Sequence, residues 1–168
     1  AGSTQILGVI TEITDDTLEF EELRNTLEKL NAATSRERLV EQTVRQLDDM
    51  VRNSYVALFV RDPREDRLRL ESHTSGALER FGPDRTITPG DEYLWNPFDA
   101  RSISYVPDLE RVTGERDSDV RTELLIPLGE YGLLALGSTS VGAFGERERE
   151  VIDVFADVVT TNLRHFQR

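Results

Sequence analysis

Three charged residues stand at the ends of apolar runs, where a charge loses part of its water: Asp108, Arg121 and Glu123. A carboxyl group in such a place has its pKa raised and can exchange a proton near neutrality. Asp108 and Glu123 are therefore the candidate acid–base pair. The plainer alternative is an ion pair with Arg121 or Arg101, which takes the proton out of play. Arg121 could grip a carboxylate or phosphate ligand with both arms of its guanidinium, or clamp Asp108 and hold a lid closed. A second group is aromatic. Tyr93, Trp95 (the single tryptophan) and Phe98 fall together in a stretch punctuated by Pro83, Pro89, Gly90 and Pro97, and Tyr105 follows closely. Such a group either lines a small-molecule pocket or covers a sheet face, and both call for the same geometry.

Several chemistries are excluded. The chain has no cysteine, which removes disulfides, thiolate metal sites, cysteine nucleophiles and thioether attachment of a chromophore. Its two histidines, His73 on the polar phase of a strand and His165 near the C-terminus, have no companions with which to build a metal centre. The G-x-S-x-G elbow, the H-E-x-x-H zinc pair and the phosphate-binding Walker A loop are all absent, so no catalytic residue is assigned.

Across 168 residues, 32 Asp and Glu outweigh 20 Lys and Arg for a net charge of −12. No basic surface stands out to neutralise phosphates, so direct nucleic-acid binding is not expected. Lys29 is the sole lysine. An acidic surface nearly free of lysine suits concentrated salt, where self-repulsion is screened, although a GC-rich genome also accounts for arginine over lysine. No run of 18 apolar residues exists to cross a membrane. The start lacks the basic region of a signal peptide. The expectation is an excised piece of a cytoplasmic protein, with residues 1–3 as a cloning remnant.

The elements that position these residues follow from periodicity. Residues 124–128 and 131–136 are apolar runs of strand length joined across Gly129 and Glu130, which predicts a central hairpin. Pro127 gives no ladder donor and belongs where the strand ends. Beyond it, Val151, Ile152, Phe155, Val159, Leu163 and Phe166 recur at helical spacing over 146–166. Near the start, residues 5–14 read as a strand. Phe20, Leu23, Leu27 and Leu30 then form a two-heptad seam over 18–31, too short to stand alone. Its partner is either the chain's own core or the same helix of a second subunit, and these four residues are the candidate dimer interface. Thr34 and Glu37 form a capping box that restarts a helix over 35–51, whose buried face includes Leu39, Val40, Thr43, Val44, Leu47, Met50 and Val51. Further strands are expected at 55–60, 67–74 and 102–106, with a short helix at 77–80. Residues 76–116 otherwise read as irregular, with 110–119 charged and mobile.

The order Arg121-Thr-Glu-Leu-Leu-Ile-Pro-Leu, Gly132-Leu-Leu-Ala-Leu-Gly-Ser, then Ala143-Phe144 and a charged helix start resembles the C-terminal half of a GAF domain. The resemblance covers residues 34–167 and is strongest from Arg121 onward. It implies an α+β, profilin-like fold: an antiparallel sheet of five or six strands, N- and C-terminal helices on one face, and a loop-rich lid on the other. Arg121-Thr-Glu and the Gly142-Ala-Phe-Gly loop look most like the GAF domains of haloarchaeal sensor kinases and bacterio-opsin-activator-like regulators. The run Gly8-Val-Ile-Thr-Glu-Ile-Thr resembles the trailing strand of a PAS domain, giving a strand and linker helix at 1–33 before a GAF-like domain at 34–168.

Bilin-binding members of the family attach their chromophore through a cysteine, and its free methionine sulfoxide reductases depend on cysteines. Neither chemistry is available here. The N-K-x-F-D-E signature of cyclic-nucleotide binders is also missing. The resemblance therefore implies a non-catalytic sensory input and dimerisation module of a two-component or transcription-regulating protein. Its cofactor is left open, and its ligand candidates are Tyr93, Trp95, Phe98, Tyr105, Asp108, Arg121 and Glu123. A ligand-free scaffold is the runner-up, and a small metabolite-acting enzyme stands behind it.

Overall fold

The two apolar runs around Gly129 become the paired centre of the sheet. In the computed structural model, which describes residues 17–50, 54–113 and 119–166, β5 (Thr122–Pro127) and β6 (Gly132–Ser138) form an antiparallel hairpin. Gly129 takes φ 58° at the turn, a left-handed conformation that a side chain would strain, and the Tyr131 N–H closes on the Leu128 carbonyl at 3.1 Å. Pro127 is the last residue of β5, where its missing N–H interrupts nothing further. Nearly every residue of both strands is buried, because helices cover one face of the sheet and the lid covers the other. A run buried on both faces has no polar phase to show.

Around this hairpin, β1 (Ser54–Asp62), β2 (Arg67–His73), β3 (Thr86–Ile87) and β4 (Ser104–Val106) complete a six-stranded sheet in the order β3-β2-β1-β6-β5-β4. All its pairings are antiparallel. On one face lie α1 (Thr17–Asn31), α2 (Arg36–Met50) and, at the end of the chain, α6 (Glu146–Phe166). They pack on Val56, Leu58, Val60, Leu124, Ile126, Leu134 and Leu136. The α+β architecture with terminal helices on one face is the expected one.

The seam on α1 finds its partner inside the chain. Leu23, Leu27 and Leu30 are buried in the helix-side core, and Asn162 of α6 donates to the Asn31 side chain at 2.9 Å. These leucines are thus covered without a second subunit, the first of the two alternatives; the side chain of Phe20 lies outside the described residues. The chain breaks between α1 and α2, but the cap is Ser35 rather than Thr34: its Oγ accepts the Arg38 N–H at 3.2 Å, while Thr34 is exposed. Met50 is exposed instead of joining the buried face of α2, and Val51 and the strand expected at 5–14 lie outside the described residues.

The stretch expected to be irregular is the most changed. It holds α3 (Ser75–Phe81), the edge strand β3, α4 (Glu92–Ala100) and α5 (Leu109–Thr113), which together form the lid. The punctuation by proline and glycine concealed α4, because Pro97 sits inside it. Asp91 begins that helix, its backbone carbonyl accepting from Leu94 and Trp95 and its carboxylate from the Thr88 N–H at 3.0 Å. The charged segment expected to be mobile starts as α5, and residues 114–118 of it lie outside the described residues.

Candidate functional site

One rung of the sheet carries the site. Gly137 of β6 pairs with Tyr55 of β1 on one side and Glu123 of β5 on the other. All three face the lid, since alternate residues of β1 and β5 belong to the lid-side core (Tyr55, Ala57, Phe59, Leu125). A Cβ on Gly137 would lie 2.0 Å from Cε2 of Tyr55. The phenol ring therefore lies flat across the space that a side chain at 137 would fill, and this places its hydroxyl against Glu123, two strands away.

Glu123 is fully buried. A bare carboxylate there would be costly, and four donors answer it. The Tyr55 hydroxyl donates to Oε2. Arg80, from α3, donates from Nε to Oε2 at 2.6 Å and from Nη2 to Oε1 at 3.1 Å. The Tyr93 hydroxyl, from α4, donates to Oε1 at 2.7 Å. Each oxygen thus takes one phenol and one arm of the guanidinium, the fork geometry that makes such pairs strong. Burial pushes the Tyr55 phenol well above the ordinary tyrosine range, and the negative charge of Glu123 pushes it further. Tyr93 is raised for the same two reasons in the same order. For Arg80, burial alone would lower the pKa, but hydrogen bonding to Glu123 and its charge outweigh burial and leave it above the ordinary value.

Both oxygens of Glu123 are engaged, each by one phenol and one arm of the Arg80 guanidinium. The acid–base pair with Asp108 is not assembled: Asp108 pairs with Arg111 at 3.3 Å, one helical turn away and at the surface. The expected clamp of Arg121 on Asp108 is likewise replaced. Arg121 Nη1 donates to the Val120 carbonyl at 2.9 Å, and its Nε lies 4.0 Å from Glu110. Arg101 caps the end of α4 in the left-handed region (φ 56°) and stacks on Phe98, 4.8 Å from the ring centre.

The aromatic group divides. Trp95 and Phe98 are buried in the lid, edge to face at 5.2 Å, and Tyr93 reaches the carboxylate beside them. Tyr105 does not join them. It is paired with Leu124, on the helix side of the sheet, and Arg149 of α6 lies 4.2 Å above its ring. Phe81 completes the lid contact, edge to face with both Tyr55 and Phe59 at 5.3 Å. Among the described residues, no three His, Asp or Glu side chains converge to hold a metal ion, and no helix is long and apolar enough to cross a membrane.

No protein-family model and no curated protein sequence matches the chain. Solved structures do. The GAF domain of an Acinetobacter phosphoenolpyruvate-protein phosphotransferase superposes with a TM-score of 0.75 at 13% identity, covering 90% of this chain and 96% of that one. The fold is GAF-like. The corresponding domain from Coxiella burnetii gives 0.72 at 19% identity, covering 88% and 93%. A free methionine-R-sulfoxide reductase from Neisseria meningitidis, in complex with its substrate, gives 0.73 at 18% identity, covering 92% and 94%. At these identities the likeness concerns the fold alone, and it supports a GAF-like domain in general rather than the haloarchaeal sensor-kinase or bacterio-opsin-activator subtype. Non-catalytic GAF domains and reductases share this fold; the absence of cysteine argues against a reductase-type active site in this GAF-like domain and leaves these 168 residues no thiol to link a bilin.

Of the four side chains at this node, Glu123 and Tyr93 are among the sequence candidates, and Tyr55 and Arg80 are not. The signal for Arg80 was indirect: a glutamate inside an apolar strand needs a cation from the covering layer. Arg80 ends the short helix expected at 77–80, whereas the expected partners of Glu123 are Arg101 and Arg121. Tyr55 opened a strand as one more apolar residue, and only the rung through Gly137 shows where its hydroxyl goes.

Proposed function

We propose that this GAF-like domain is a non-catalytic regulatory module of a signalling protein, in which the lid is latched to the sheet at Glu123. The observation that carries the reading is the four-donor node, in which α3 and α4 each send one side chain to the same buried carboxylate. A buried ion pair contributes little net stability but favours one arrangement over its alternatives, which is what a two-position lid needs. The sheet connects the node to the outlet, because Val56 and Leu124, neighbours of Tyr55 and Glu123, pack under α1, α2 and α6. A homodimer through the terminal helices is part of the proposal, formed by outward residues such as Glu21, Arg24 and Glu28, since the leucine seam is already covered. The acidic, lysine-poor chain favours a salt-rich cytoplasm, so its unfolding midpoint should rise with molar KCl; a falling midpoint would refute that placement.

Transmission is tested with spin labels at Lys29→Cys and Arg164→Cys, both exposed positions outside the residues named for the dimer, in a chain without cysteine. Labelled protein is diluted into unlabelled protein, and the α1–α6 distance is compared between the parent chain and Glu123→Gln. A changed distribution supports the module, and identical distributions overturn it. The mass from light scattering decides the dimer. A ligand-free scaffold is the second reading, favoured by the close packing of Tyr55, Phe59, Phe81, Trp95 and Phe98.

A further inference from the structure

An open cleft of about 530 Å³ runs between α4 and the chain leading into β4, lined by Glu92, Tyr93, Asn96, Pro97, Ala100 and residues 102–104. We infer that this cleft binds a small organic cation, an amine or quaternary ammonium with an apolar body. The inference rests on the module reading, for which it supplies the chemical class of the ligand.

The lining decides the charge. Among the described residues it contains one carboxylate (Glu92), one tyrosine (Tyr93), one side-chain amide (Asn96) and the hydroxyls of Ser102 and Ser104, and no lysine, arginine or histidine. Arg101, the nearest basic residue in sequence, is turned away onto the Phe98 ring and carbonyl. A phosphate or carboxylate ligand would find no counter-charge. The positive end of α4 offers little to an anion, because Asp91 and Glu92 already stand at its start. Acceptors are in surplus. Pro97 has no N–H to give the Tyr93 carbonyl one turn earlier, so that oxygen lacks its usual helical partner. Pro97, Ala100 and Ile103, the last of which is 46% exposed, provide an apolar floor for the body of the ligand. The volume lies within the range of small-molecule sites.

The same residue joins the cleft to the latch. Tyr93 is a lining residue of the cleft, and its hydroxyl is held by Glu123. A cation settled against the ring therefore acts on the phenol that ties α4 to the sheet.

The test is amide NMR of the full chain with choline, putrescine and benzylamine, each up to roughly 50 mM, a level at which fragment-sized ligands register. Controls are 3,3-dimethylbutanol, the uncharged shape-match of choline, and succinate. The amines should shift amides at positions 92–104, and choline should bind about tenfold more tightly than its neutral counterpart. Glu92→Gln, at an exposed position, should reduce that preference while the rest of the spectrum stays unchanged. The inference is overturned if no amine shifts the cleft, if choline and 3,3-dimethylbutanol bind equally, or if succinate binds instead. A cleft silent to amines alongside label distances that respond to Glu123→Gln overturns the cation and keeps the module; the converse keeps the cation and overturns transmission.

Discussion

Gly137→Ala should be far more damaging than a single methyl group suggests. The new Cβ would stand 2.0 Å from Cε2, 2.6 Å from Cδ2 and 2.9 Å from Cζ of Tyr55, so the ring must lift off the sheet. Lifting it takes the hydroxyl from Glu123 and drives the ring into Phe81, which it touches edge to face. Loss of a hydrogen bond to a charged group costs about 1.5–3 kcal/mol. Forcing a packed core to accept displaced volume adds about 1–3 kcal/mol. Against this, alanine in a strand gains about 0.5–1 kcal/mol over glycine in conformational entropy. The net loss is about 3 kcal/mol, a large share of the stability of a domain this size. Urea unfolding of Gly137→Ala, Tyr55→Val and the double variant measures it. With the ring gone, alanine at 137 should be neutral or stabilising, giving a coupling of about 3 kcal/mol; additivity within about 0.5 kcal/mol would refute the ring-over-glycine geometry.

Two further outcomes are expected. Tyr55 and Tyr93 both hold their protons more tightly folded than unfolded, so the stability they contribute is complete below pH 10, the ordinary tyrosine value, and is lost as pH rises beyond it. Alkaline unfolding curves should show this loss, and Tyr55→Phe should flatten it; an unchanged slope would contradict the assignment. Leu30→Ala should lower stability by about 2–5 kcal/mol through the cavity it opens, with no change in mass by light scattering, because Leu30 is fully buried within the chain. A dissociated but equally stable protein would return the seam to a subunit interface.

Most of the fold was legible because its signals are periodic. The seam on α1, the broad face of α2 and the stripe on α6 repeat often enough to declare helices, while the hairpin at Gly129 shows as two unbroken apolar runs of strand length. Of the lid only α3 was legible, as the short helix at 77–80; α4 and α5 were not, because both are too short to establish a period and Pro97 stands inside α4. The site was half legible for a related reason. Glu123 shows itself as a charge in an apolar run, and Tyr93 as part of an aromatic group. Arg80 and Tyr55 lie 43 and 68 residues from Glu123, and only the strand order brings them to it. Tyr105 was misplaced by one step of strand phase: its neighbour Val106 faces the lid, and Tyr105 faces the helices.

In the proposed module, Glu123 ties the lid to the sheet. Site-resolved hydrogen exchange of the parent chain and Glu123→Gln tests it most directly, comparing amides of α3 and α4 with those of the β1–β6 ladder. The account predicts that in the variant the lid amides accelerate by at least about tenfold more than the ladder amides, reporting a lid that opens while the sheet stays folded. Equal acceleration of lid and ladder would contradict it, since Glu123 would then stabilise the domain as a whole and latch nothing.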